Sequence, residues 1–276
     1  MNALPNTVAG LMTEAPVLIK PGDPIEVAES LMRCTHVRHW PVTSGHSLVG
    51  ILSLRELLSA HRREMEEQGS SPLRRCSAGQ LMNDVCVVGH PNDAVVTAAE
   101  KMNRHRLSCL PVVEDGNVVG VVTLDHFVSF AIRMLKDRES RVGYPTIVAR
   151  LMTCAPLATV QVLERVDVAQ AIMSQHFVRH LPVMRADRLV GIVSERDIGE
   201  VLSASLEAAS SIVVGEVMTA RPSTTSPEAE AAEAGIVLVK GQFGALPVVR
   251  DELLVGILSK SDFLTWVVER SRARDA

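Results

Sequence analysis

Aromatic side chains are scarce in this 276-residue chain: Phe, Tyr and Trp make up 3% of it, against 47% hydrophobic residues overall. Its core must therefore be built from Val, Leu, Ile, Ala and Met. Strong charge of either sign is missing too, since 28 Lys and Arg face 32 Asp and Glu for a net −4. That balance argues against a general nucleic-acid or membrane surface. No apolar run approaches the ~18 residues needed to span a bilayer. The start, Met1-Asn2-Ala3-Leu4-Pro5, lacks a basic region followed by an apolar stretch, so a cytoplasmic protein is expected. The five cysteines (Cys34, Cys76, Cys86, Cys109, Cys154) are odd in number and never spaced Cys-x-x-Cys. They are expected to be reduced thiols serving as small core hydrophobes.

Signatures of chemistry are missing as well. There is no Gly-x-Ser-x-Gly, no Gly-x-x-x-x-Gly-Lys phosphate loop and no Cys–His pair with an orienting group, so no catalytic residue is expected. Nine histidines raise the question of a metal. His36 with His39, and His176 with His180, run from a helix end into a strand, and no Cys or acid completes a ligand set. No metal site and no cofactor are expected.

What the chain does contain is one unit used four times. Its tags are Leu11-Met12-Thr13, Leu81-Met82-Asn83, Leu151-Met152-Thr153 and Val217-Met218-Thr219. Each is followed by an apolar-Pro-Val triplet at Trp40-Pro41-Val42, Leu110-Pro111-Val112, Leu181-Pro182-Val183 or Leu246-Pro247-Val248. The Met-to-Pro step is 29 residues in three copies and 30 in the third; from that Pro to a Gly in a Val-Gly-apolar-apolar-Ser/Thr run it is nine in all four. Two internal distances held across four copies mark a repeated supersecondary unit, whose function belongs where copies face each other.

The third copy gives the local order. Leu157-Ala158-Thr159-Val160 reads as a strand and Val166 to His176 has helical spacing. His180–Met184 and Leu189–Val193 read as a hairpin around Arg185-Ala186-Asp187-Arg188, and Ser194 opens a second helix through Leu202. Asp23-Pro24-Ile25-Glu26 and Ser226-Pro227-Glu228 look like helix starts with a cap followed by proline. The stretches 61–75 and 136–145 read as connections. A unit near sixty residues is marginal alone, so copies are expected to pair face to face, burying an apolar sheet face and leaving clefts related by a pseudo-twofold axis.

These motifs resemble the cystathionine-β-synthase-type (CBS) domain. The resemblance rests on Met-Thr, the apolar-Pro-Val strand, the Gly-apolar-apolar-Ser/Thr strand end and an acid three residues later. It covers residues 8–60, 76–135, 146–203 and 212–269. It implies an α/β fold of four β-α-β-β-α repeats forming two pseudo-twofold tandem pairs, 1–140 and 146–270. It also implies a non-catalytic regulatory protein that senses AMP, ADP, ATP or S-adenosylmethionine and signals to a partner protein of unknown identity, with a homodimer as an allowed assembly. A structural or adaptor protein with vestigial clefts is the alternative.

The resemblance also implies site residues. The family's ribose signature, Ser/Thr-x-x-Asp, is matched by Ser194-Glu195-Arg196-Asp197 and Ser259-Lys260-Ser261-Asp262. The first pair has Ser53 with Glu56, and Thr123 with His126. A carboxylate suits a vicinal diol because each oxygen can accept one O–H, and the helix start suits a phosphate. The same spacing also fits a capping box that needs no ligand. Arg179-His180 and Arg38-His39, just before the Pro-Val strand, fall where the family presents basic residues to phosphate. Thr13, Thr153 and Thr219 fall where it uses a hydroxyl. Ala158 and Thr224 lie where adenine meets first-strand backbone, and Arg196 and Ser261 could reach phosphate.

Overall fold

Each repeat becomes a β-hairpin flanked by helices, in the order the motifs require. The computed structural model describes residues 4–35, 39–53, 56–57, 60, 76–84, 86–204 and 211–275. The 61–75 connection and Arg38 lie outside the described residues. Repeat 1 carries β1 (Thr13–Glu14), β2 (His39–Ser44) and β3 (Ser47–Ser53), and repeat 2 carries β4 (Cys109–Glu114) and β5 (Asn117–Thr123). Repeat 3 carries β6 (Thr153–Cys154), β7 (Val160–Gln161), β8 (His180–Arg185) and β9 (Arg188–Ser194). Repeat 4 carries β10 (Thr219–Ala220), β11 (Ala245–Arg250) and β12 (Leu253–Ser259).

The hairpin turns are tighter than the sequence suggested. Arg185 and Arg188 pair with each other and join the ladder, leaving Ala186-Asp187 as a two-residue turn. Such turns match strand twist only with left-handed residues, here Gly45, Asp115 with Gly116, Ala186, and Asp251 with Glu252. In every repeat the register slips after the Pro-Val valine (Val42, Val112, Val183, Val248), so Val49, Val119, Val190 and Val255 are bulged. A bulge frees backbone groups from the ladder. Among the described residues, three of these carbonyls accept from another repeat: Val119 from Ala15 N–H, Val190 from Arg221 and Val255 from Ala155.

Before each hairpin the chain lies parallel to the Pro-Val strand. β7 pairs with β8 at Val160↔Val183, and Ile19↔Val42, Gly89↔Val112 and Thr225↔Val248 are the corresponding bridges. The strand expected at 157–160 is thus shifted: only Val160 of that run joins the ladder.

The helix Val166–His176 runs as its periodicity predicted. The two proline starts do not. Asp23 turns back to accept the Lys20 N–H at 2.8 Å, Pro24 bridges to Ser77, and the helix begins at Ile25. In repeat 4 the Ser226-Pro227-Glu228 run is part of a turn, and the helix begins at Ala231, after Glu230 has bridged to Ile147. The residue before each helix is spent on an extended bridge to another repeat, and that delays the start. The expected connection 136–145 is also mostly helix, because Leu124–Val142 is one element. Its buried positions Phe127, Val128, Ala131 and Leu135 follow helical spacing. Beyond them, Lys136 pairs with Glu233 at 3.1 Å and Arg138 donates to Thr146.

The chain divides into two compact units, Met1–Met134 with Phe263–Ala276, and Leu135–Asp262. The first contains the sheet β1-β5-β3-β2, with β4 on β5, over a core that includes Ile19, Ile25, Trp40, Val42, Leu52 and Leu57. Within it the C-terminal helix Lys260–Asp275 reaches the helix Val95–Arg104, Arg272 bonding Glu100 at 3.1 Å. The second contains the sheets β10-β9-β8-β7 and β11-β12-β6 over a core that includes Val160, Val166, Met173, Leu181, Val183 and Ile198.

Candidate functional site

Within each unit the Met-Thr segments are crossed between repeats. β1 of repeat 1 pairs with β5 of repeat 2 at Thr13↔Val121, and Asn83 of repeat 2 bridges to Ile51 on β3. β6 of repeat 3 pairs with β12 of repeat 4 at Thr153↔Ile257, and β10 of repeat 4 pairs with β9 of repeat 3 at Thr219↔Ile192. Each crossing puts a methionine against the glycine of the other repeat: Met12 on Gly120, Met82 on Gly50, Met152 on Gly256 and Met218 on Gly191. The two most regular sequence tags are therefore one contact, made four times. Sequence reasoning recorded both and missed that they touch; their fixed separation was the available signal.

The crossing also decides which residues share a site. β12 ends at Ser259, where the helix Lys260–Asp275 begins, and Asp262 lies in its first turn. Asp262 Oδ2 accepts the Ser259 N–H at 2.6 Å and its Oγ–H at 2.7 Å, while Oδ1 accepts the Thr153 hydroxyl of repeat 3 at 3.4 Å. Burial pushes the Asp262 carboxyl above its usual range, against the pull of the bonds from Ser259 and Thr153. In repeat 3, Asp197 Oδ2 accepts the Ser194 N–H and Oγ–H, both at 2.7 Å. Thr219 stands on the neighbouring strand opposite Ile192.

In the first unit the same frame carries different groups. Glu56 Oε2 accepts the Ser53 N–H at 2.9 Å and the Ser53 hydroxyl, with Asn83 on the adjoining segment. Asn83 was not among the expected site residues. At the fourth position the Thr123 N–H donates to His126 Nδ1 at 3.1 Å, and His126 Nε2 lies 3.1 Å from Thr13 Oγ1. A backbone N–H can only donate, so Nδ1 carries no proton; Nε2 carries it and donates to Thr13. Burial lowers the His126 pKa, Asp125 opposing it. The capping arrangement is thus present at all four helix starts. The carboxylates cap with one oxygen, and Asp262 turns its other toward the crossed threonine.

The basic candidates hold the frame through their backbone and rings. The Arg179 carbonyl accepts the Glu195 N–H at 2.9 Å, at the start of the helix that carries Asp197. His180 pairs with Ser194 across the hairpin, and its ring lies against Gly244 of repeat 4. The Gly244 carbonyl accepts the Lys260 N–H at 3.2 Å, at the start of the helix that carries Asp262. His39 repeats this in the first unit, its Nδ1 meeting the Ser108 hydroxyl while the Ser108 carbonyl accepts the Leu124 N–H. The even repeats carry Ser108 and Gly244 where the odd ones carry arginine, and the small residue leaves room for the histidine.

Arg179 and Arg196 are half-buried, and Ser261 and Thr224 are exposed. Ala158 is half-buried against the core of the second unit. Because Val160 and Thr225 hold matching bridges, Ala158 matches Ser223 and Thr224 matches Thr159, so the two adenine candidates are out of register with each other. Among the described residues no three His, Cys, Asp or Glu side chains converge as a metal site would require, and no helix is long and apolar enough to cross a membrane.

The crossed hairpins and their paired helix starts define a repeat module, and the chain belongs to the CBS-domain family. The CBS domain model matches residues 8–63, 78–133, 148–204 and 214–269. The fold as a whole is similar to protein MJ1225 of Methanocaldococcus jannaschii, a candidate archaeal homologue of g-AMPK, with a TM-score of 0.79 over 94% of this chain and 99% of that one at 20% identity. The CBS domain-containing protein YhcV of Bacillus subtilis is 29% identical over 119 residues, 43% of this chain and 81% of YhcV. Inosine-5'-monophosphate dehydrogenase of Staphylococcus saprophyticus is 27% identical over 133 residues, 47% of this chain but only 25% of the enzyme.

Proposed function

We propose that the chain is a non-catalytic regulatory protein that binds an adenosine nucleotide (AMP, ADP, ATP or S-adenosylmethionine) in the clefts of its second pair and presents the result to a partner protein. The observation that carries this reading is the Thr153–Asp262 couple. A half-buried carboxylate caps its helix with one oxygen and turns the other toward a hydroxyl from the opposite repeat. A vicinal diol entering there can donate to Oδ1, and the adjoining helix start favours an anion. Thr219, opposite Ile192 on the adjoining strand, and Asp197 are the corresponding residues of the other cleft. Arg179, Arg196, His180 and Ser261 are the candidates for phosphate, and Ala158 and Thr224 for adenine. Occupancy transmits something only if the ligand binds two conformations unequally.

Calorimetry on the full chain with each of the four ligands, repeated on Asp197→Ala and Asp262→Ala, tests the proposal. Binding that weakens in both variants supports it. Undiminished binding by folded variants makes these carboxylates caps and refutes the ribose assignment. A structural or adaptor role is the second reading. It is favoured by the capping bonds at all four helix starts and by His126, whose two nitrogens are both occupied within the protein.

A further inference from the structure

We propose that the two pairs differ in stiffness: repeats 1 and 2 are fastened to each other at their hairpin tips, whereas repeats 3 and 4 are free to turn against each other there. The hairpins correspond residue by residue. Their turns are closed by Ser44↔Ser47, Glu114↔Asn117, Arg185↔Arg188 and Arg250↔Leu253. In the first unit β3 and β5 meet at Ser47↔Asn117. The Leu48 N–H donates to the Gly116 carbonyl at 3.4 Å, the Val118 N–H to the His46 carbonyl at 2.9 Å and the Ser47 hydroxyl to Asn117 Oδ1 at 3.4 Å. This fastening joins both hairpins into one sheet. In the second unit the counterparts of the two amide donors are Leu189 and Leu254, and those of the acceptors are Asp187 and Glu252. No strand pairing or backbone hydrogen bond among the described residues joins these tips, and the hairpins stay in separate sheets.

The residues at the tips account for the difference. Ser47 and Asn117 are short and bond each other; Arg188 and Leu253 stand in their places, and leucine has no group to bond with. Gly116 takes its left-handed conformation without a side chain, whereas Glu252 carries one at φ 64°. Leu253 is left 56% exposed. Val118 is buried under the fastening, while its counterparts Leu189 and Leu254 are only half-buried. The strand contacts between repeats 3 and 4 are short: β6 on β12, β10 on β9, and the bridges Ile147↔Glu230 and Arg165↔Val213. Repeats 1 and 2 have the matching contacts, β1 on β5, Asn83↔Ile51, Thr7↔Ala94 and Pro24↔Ser77, with the tip fastening in addition. On the nucleotide reading, a ligand held between Thr153 of repeat 3 and Asp262 of repeat 4 then selects among arrangements of two movable repeats. That consequence rests on the proposed function; the difference in stiffness does not.

The test is native-state hydrogen exchange on the full chain without ligand, read at three amides that make the same crossing bond: Ala15 to Val119, Ala155 to Val255 and Arg221 to Val190. A turn of one repeat against the other opens these bonds. After correction for intrinsic rates, Ala155 and Arg221 should exchange about tenfold faster than Ala15, the effect of one or two modest hydrogen bonds. Transplanting the first unit's residues as Arg188→Ser, Glu252→Gly and Leu253→Asn should slow Ala155 and Arg221 toward Ala15. The reverse set, Ser47→Arg, Gly116→Glu and Asn117→Leu, should speed Ala15 by about tenfold. Equal protection of the three amides in the wild type, or transplants that leave them unmoved, would overturn the proposal. Saturating AMP should then slow Ala155 and Arg221 and leave Ala15 level. If calorimetry shows no AMP binding, the nucleotide reading falls, while the ligand-free comparison still decides the stiffness. AMP that binds yet slows Ala15 as much as the other two would overturn the link to signalling.

Discussion

Met152 of repeat 3 occupies the space where Gly256 of repeat 4 would carry a side chain: a β-carbon there would lie 2.8 Å from the Met152 sulfur and 2.9 Å from the Thr153 carbonyl oxygen. Gly256→Ala should therefore destabilise the protein by ~1–3 kcal/mol, the usual cost of overpacking. Shortening the methionine in the same molecule removes one of the two clashes. In urea denaturation, Gly256→Ala with Met152→Ala should cost less than the sum of the single variants. Simple additivity would mean that the two residues do not meet.

Asp262 should trade stability for binding. Its carboxyl is held above the ordinary range, so its stabilising proton is present below the unfolded value of about 3.9 and is lost as pH rises through the native value. Asp262→Asn removes that cost and keeps an acceptor for the Ser259 N–H. The variant should melt higher than wild type at pH 7, with the difference shrinking toward pH 4. A constant difference between the two pH values would show that burial of the charge is not its source.

The ribose role predicts a specific pattern of loss. Asp262→Ala and Asp197→Ala should each weaken AMP binding by ~1.5–3 kcal/mol at the affected cleft, the worth of hydrogen bonds to a charged group. A deoxy analogue lacking one ribose hydroxyl should lose affinity for wild type and lose little more for the variant. Equal discrimination by wild type and variants would place the diol elsewhere.

A phosphate contact by Arg179 predicts that adenosine binds more weakly than AMP and that Arg179→Ala erases most of the gap. Gly244→Ala probes His180 separately, since a β-carbon at 244 would collide with the ring. If the ring meets phosphate, the variant should weaken AMP more than adenosine. Equal weakening of both would leave His180 as a packing residue of the helix start at Lys260.

Thiol chemistry should follow burial. Cys154 is exposed, whereas Cys109 is buried with its pKa pushed up to about 12. Iodoacetamide should modify Cys154 in the native protein and reach Cys109 only after unfolding. Early labelling at Cys109 would mean that the hairpin of repeat 2 opens in the native state.

Much of this was legible in the residues. The helix Val166–His176 and the hairpins follow from periodicity and turn residues, which are local, and the family was legible as a resemblance carried by the repeated Met-Thr, Pro-Val and Gly-Ser/Thr motifs. The helix starts were misread at Pro24 and Pro227 because the residues before them pair with distant chain. Ser77 and Ile147 do not show in the local pattern. The candidate site divided in the same way. Ser-x-x-Asp could be found at Asp197 and Asp262, but not the threonine that each would use, nor Asn83 beside Glu56.

The sequence by itself determined the repeat, its hairpin and the acid placed one turn into the closing helix, because these depend on steric and hydrogen-bonding preferences within a few residues. Only the tertiary structure decided that Thr153 serves Asp262 and that Thr13 serves His126. Those pairings lie across repeats, where the bulged carbonyls and side-chain-free glycines of one copy accept the Met-Thr segment of the other. Four nearly equivalent copies offer many such partners, and local pattern carries no label for which is chosen. The choice is made by burying the methionines against Gly50, Gly120, Gly191 and Gly256, a packing condition that exists only once the copies have met.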